Sequence, residues 1–228
     1  MDTKENTIKK IEKLTQKYFD DNEIRLALKS YRELLTLFPQ DKIYYINYLD
    51  FLENEIVIAE LLWSAYEESI VCCDIAIQYL NQEEAEYFYL KKLELYVTMT
   101  DSDFKWYIEH KQEVQNLISA TLQKYPKNVD ALKRIMALYR LQGNKEKENE
   151  ILNIAYELEP DDFLLVVFKA NYLEEKDTLE SINVLENWIL INPTSPSLDT
   201  AYQKIIRLYQ KTKNQEKIDF YQDILDNK

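Results

Sequence analysis

The chain has 228 residues, 46% of them hydrophobic and 30% charged, with one glycine and five prolines. That apolar content suffices to bury a core in one domain or one repeat array, while the turn chemistry is too sparse for a sheet protein with many hairpins, so an all-helical fold is expected. A formal net charge of −13 argues against nucleic-acid binding, which needs clustered Lys and Arg.

The opening "MDTKENTIKKIEKL" mixes both charge signs and contains no apolar leader core, so no secretory signal is predicted. The longest apolar run, "FLLVVF" at 163–168, falls far short of the ~20 residues of a membrane helix. The expectation is a soluble, cytoplasmic protein without a membrane partner. The first hairpin spans about 8–39 and ends at Pro39. Beyond it, "EIVIAELLWSAYEESIVCCDIAIQYL" and "DFKWYIEHKQEVQNLISATLQKY" keep helical patterns with no breaker. Two lengthened hairpins, 42–81 and 83–126, are preferred there over three short ones. Cys72 and Cys73 are adjacent, so a disulfide between them would be strained, and two reduced thiols are expected with at least one in the core. With a single histidine the chain cannot assemble a Cys/His zinc site, and no metal is predicted.

Further on, punctuation becomes periodic: Pro126 to Pro160 spans 34 residues and Pro160 to Pro193 spans 33. Leu132, Ile135, Met136 and Tyr139 form one apolar helical face, and Ile151, Leu152, Ala155 and Tyr156 form another. Gly143 lies between them, where a helix end calls for positive φ. Each proline stops a helix, and in "EPDDF" at 159–163 the acids after Pro160 start and cap the next. Hairpins at about 128–160, 162–193 and 197–226 follow.

These residues resemble the tetratricopeptide repeat family, whose unit is a 34-residue helix hairpin. In 129–160 the family's slots hold Leu132, Ile135, Met136, Tyr139, Glu148, Leu152 and Pro160, with Ala155 at a small-residue position. Met136 and Glu148 depart from the small residues favoured there, which implies looser packing in that hairpin. Tyr18, Ala27, Tyr31 and Pro39 fit the first repeat, Ala170 and Pro193 the fifth, and Tyr209 and Tyr221 the last. The resemblance covers nearly the whole chain and implies one domain, 1–228, a right-handed αα superhelix of about six degenerate hairpins.

One glycine cannot build a phosphate-cradling loop, a dinucleotide fingerprint or a nucleophile elbow, and His110 stands in a charge-rich helix without a recognisable nucleophile. A non-enzyme without cofactor is therefore expected. The unusual feature is residues 43–90, which contain no Lys or Arg and ten acids. Asp50, Glu53, Glu60, Glu67, Glu68 and Asp74, with Tyr66, are candidate contacts for a basic protein, because acids steer such a partner and aromatics anchor it. The competing reading, that the aromatics pack hairpins together and the acids solvate the outside, stays open. A second candidate surface is the helix "DDFLLVVFKANYLEE", where the resemblance places Leu164, Val167, Phe168 and Asn171 toward a groove. Arg134, Arg140, Lys204 and Arg207 adjoin it, without the succession by which some family members clamp the acidic C-terminus of a heat-shock chaperone. The resulting expectation is a protein-interaction scaffold, for instance one that neutralises a basic toxin or nuclease. The alternative is a self-assembling scaffold that dimerises through the apolar groove.

Overall fold

The computed structural model describes residues 24–56 and 62–227, together with Lys9 and Lys13. Among the described residues there are eleven α-helices and no strand. They are α1 (Ile24–Leu37), α2 (Lys42–Phe51), α3 (Leu62–Tyr79), α4 (Gln82–Ser102), α5 (Phe104–Lys124), α6 (Val129–Leu141), α7 (Lys145–Leu158), α8 (Phe163–Glu174), α9 (Thr178–Ile191), α10 (Leu198–Thr212) and α11 (Gln215–Asp226). A π-helical turn, Leu52–Ile56, continues α2. Tyr18 and Glu60 lie outside the described residues.

The helix starts are set by short polar side chains. Asn81, Asn128, Asn144, Asp162 and Asn214 each accept a hydrogen bond from the backbone N–H three residues on, which occupies a donor the first turn would otherwise leave bare. Asp162 is the second acid of "EPDDF", and its carboxylate also takes Lys133 Nζ at 2.5 Å. Burial works against its charge, but Lys133 and the N–H groups of Leu165 and Leu164 outweigh this and hold its pKa below the ordinary value. The stops are equally local. Gly143 has φ +70, its N–H donates to Arg140 O, and the Asn144 N–H donates to Tyr139 O, the paired closure of a left-handed helix cap. Lys213 repeats this pattern one hairpin pair later, with φ 56 and bonds to Gln210 O and from Asn214 to Tyr209 O.

The chain forms two compact units, residues 1–125 and 126–228. In each, helices pack on their sequence neighbours. The core of the first unit is aromatic: Tyr45, Tyr48, Phe88 and Tyr96 are fully buried. Tyr45 meets Phe88 edge-on at 5.7 Å, and Tyr31 stacks on Tyr48 at 5.1 Å. Helices α4 and α5 are tied at their far ends, where the Tyr125 hydroxyl donates to Gln82 O at 2.6 Å. In the second unit Leu132, Ile135, Met136 and Tyr139 of α6 and Ile151, Leu152 and Ala155 of α7 are buried. Ala170 leaves room for α9 to approach, and the buried Ser181 hydroxyl donates to its carbonyl at 2.7 Å. Trp188 packs on Phe163 at 4.5 Å and donates its indole N–H to Asp161 O at 2.8 Å.

No described helix is long and apolar enough to cross a membrane. Both cysteines are buried free thiols, and burial pushes both pKa values far up, so neither is a ready thiolate. Among the described residues no cluster of His, Cys, Asp and Glu could hold a metal ion.

Candidate functional site

The first unit carries a cleft of about 500 Å³ between α1 and α3, floored by α2. Its apolar wall comes from Leu35 of α1 and from Val71, Ile75 and Tyr79 of α3. Val71 is 50% and Tyr79 48% exposed, a large apolar offering about two turns apart on one face of the helix. One end is closed by a polar triad. Arg32 grips Glu68 with two prongs, Nε to Oε1 at 2.7 Å and Nη2 to Oε2 at 2.5 Å, and the Tyr48 hydroxyl donates to Oε1 at 2.5 Å. Burial opposes the charge of Glu68, but these bonds prevail and keep its carboxyl below the ordinary value. Burial and the same carboxylate push the Tyr48 hydroxyl far up.

Along the outer face of α3, Glu67, Val71, Asp74 and Gln78 are exposed in sequence, so acids border the apolar wall. The acids of 43–90 divide into two sets. Glu68 pairs with Arg32, Glu53 with Lys91 and Asp74 with Lys92 at 2.5 Å. Every one of these cations comes from outside the segment. Asp50 and Glu67 are exposed. The aromatics divide likewise: Tyr44, Tyr45, Tyr48, Phe51, Phe88 and Tyr89 are core, Tyr66 is half-buried, and Tyr79 and Tyr87 reach solvent.

The second unit has its own cleft, about 650 Å³, between α7 and α8. Phe168 and Asn171 of α8 line it with Leu152 and Asn149 of α7. The Arg140 guanidinium lies over the Phe168 ring at 4.1 Å and donates from Nε to Glu148 at 2.6 Å, which gives Glu148 a charged partner where the repeat pattern favours a small residue. Of the four residues expected on this helix, Phe168 and Asn171 enter the cleft. Leu164 is 49% exposed and Val167 half-buried, and neither lines it.

The chain matches no protein-family description and no curated protein. Among solved structures it is similar to YrrB, a TPR protein with an unusual peptide-binding site, at 18% identity and TM-score 0.54, over 86% of this chain and 91% of that one. The fold is tetratricopeptide-like. A second structure, Naa15/Naa10 bound to HypK-THB, aligns at 17% identity and TM-score 0.42 over 91% of this chain but only 34% of that one.

Within this tetratricopeptide-like frame, sequence reasoning missed Arg32, Leu35, Val71 and Ile75 as cleft residues. The i, i+4 rhythm of Val71, Ile75 and Tyr79 was a usable signal for the α3 wall. The pairing of Arg32 with Glu68, 36 residues apart, left no sequence mark.

Proposed function

We propose that the chain is a non-catalytic protein-binding scaffold whose first unit takes a basic, amphipathic protein segment in the cleft between α1 and α3. The observation that carries this is the α3 edge, where exposed Val71 and Tyr79 alternate with exposed Glu67 and Asp74 in a stretch devoid of Lys and Arg. Apolar side chains of a partner would fill the cleft while its basic residues meet exposed Glu67, one turn from Val71. The fold similarity to a peptide-binding TPR protein supports a scaffold in general. A protein with a strongly positive active site, such as a nuclease or toxin, is one form such a partner takes.

The test is calorimetric titration with an amphipathic Lys/Leu peptide. Wild type should bind it, Glu67→Lys should weaken binding by about tenfold at low salt, and Val71→Asp should abolish it. Binding by Glu67→Lys equal to wild type in dilute buffer would sink the electrostatic part. A second reading, self-association, draws on the exposed Leu164 of α8.

A further inference from the structure

The α1/α3 cleft is charged at one end only, and among the described residues that line it Arg32 is the single cation. Its guanidinium meets Glu68 with Nε on Oε1 and Nη2 on Oε2, so the fork occupies both carboxylate oxygens. The two partners are anchored very differently. The Glu68 side chain is 19% exposed and is held by the hydroxyl of fully buried Tyr48, whereas the Arg32 side chain is 59% exposed. The carboxylate is therefore a fixed receptor, and the guanidinium on it is a removable occupant.

A released guanidinium also has somewhere to go. Arg32 lines a second hollow, about 420 Å³, that runs along α1 with Lys29, Glu33, Thr36 and Leu37. Glu33 is exposed there, and its contact with Lys29 is loose, at 4.0 Å. Arg32 thus stands between two hollows, with a half-buried carboxylate in one and an exposed carboxylate in the other. Its departure strips Glu68 of a counter-charge, and a half-buried carboxylate left alone is costly. Arg32 leaves, accordingly, when another cation takes its place.

We propose that Arg32 is a built-in occupant of the partner's place: an arginine of the bound segment displaces it from Glu68 while the segment's apolar residues lie against Val71, Ile75 and Tyr79. This rests on the basic-segment reading of the cleft and names the residue that reading requires of the partner. Arginine is favoured over lysine because Glu68 offers two oxygens to a fork, and an ammonium is a point charge that replaces only one of the two bonds. While Arg32 is seated the place is closed, so the apparent affinity is lowered by the fraction of time it stands open. Removing Arg32 removes that penalty. A segment without arginine gains the apolar contacts and leaves Arg32 where it is.

The experiment is fluorescence polarisation on the full chain, with an amphipathic Arg/Leu peptide and its Lys/Leu counterpart. Arg32→Ala should bind the Arg/Leu peptide about tenfold more tightly than wild type does, which corresponds to an open fraction of about one in ten. Its gain for the Lys/Leu peptide should be smaller. Arg32→Gln, which keeps most of the stem, should behave the same way, and Glu68→Gln should lose the preference for arginine. A second readout needs no peptide: Arg32→Ala should melt below wild type, and millimolar ethylguanidinium should recover part of that loss in this variant and not in Glu68→Gln. Weaker or unchanged binding of the Arg/Leu peptide by Arg32→Ala, or no recovery with ethylguanidinium, overturns the exchange and leaves the basic-segment reading standing. Binding of neither peptide, by wild type or by Arg32→Ala, overturns that reading and the exchange with it.

Discussion

Glu68 shows how one carboxylate can be structural in a segment whose composition advertises binding. It accepts from Arg32 and Tyr48 and closes the end of the α1/α3 cleft. Glu68→Gln removes the charge that both donors face and should cost about 1–3 kcal/mol in urea unfolding, whereas Glu67→Lys one residue earlier should leave the midpoint nearly unchanged. The pH dependence follows in sign. Glu68, Glu174 and Glu186 all have folded pKa values below their ordinary 4.5, despite the burial that opposes their charge. A depressed carboxyl contributes stability that is present above the ordinary value and lost as pH falls through the folded one. Wild type should therefore lose stability progressively below about pH 4.5, and the slope should be shallower in Glu68→Gln. At the alkaline end the sign reverses: burial and Glu186 push Tyr209 up to about 12, so its contribution holds below the ordinary 10.0 and fades as pH rises through the folded value. The structural role of Glu68 was not legible in residues 43–90. Acids and tyrosines there read as one surface, because nothing in a linear chain distinguishes an acid that reaches water from one met by a cation 36 residues away.

At the scale of elements the sequence was far more readable. Pro126, Pro160 and Pro193 each fall just beyond the helix they close, and Gly143 takes the positive φ its place between two apolar faces demanded. Such signals are local, so they survive in the sequence. Lys213 is the instructive miss. It holds the same left-handed cap between α10 and α11 that Gly143 holds between α6 and α7, but a lysine gives no hint of it. A residue with a Cβ is strained in that region by about 1 kcal/mol or more. Lys213→Gly should therefore raise stability by roughly 0.5–1 kcal/mol, the relief of strain exceeding the added freedom of the unfolded chain. Thermal melts of the two chains check this, and a lower midpoint for the glycine variant would show the cap to be unstrained. The interior of α8 was read less well: "FLLVVF" is apolar all round, so periodicity could not say that Phe168 enters the cleft while Val167 does not.

For the molecule as a whole, a net charge of −13 sets copies against one another. Light scattering at about 0.15 M salt should return the mass of a single chain, 27.4 kDa. A concentration-dependent dimer that Leu164→Asp dissolves would transfer support to the self-association reading. The cations that meet Glu68, Glu53 and Asp74 bear on a different question, that of exchangeability. Repeat proteins are often treated as cassettes, each hairpin free to be duplicated, deleted or grafted. Here the π-helical turn after α2 and helix α3 hold the carboxylates while Arg32 sits upstream and Lys91 and Lys92 downstream. Cut out as a block, the hairpin would take its acids into a new array and leave their counter-charges behind, Arg32 and Lys92 stripped of these carboxylates and Lys91 reduced to Glu94.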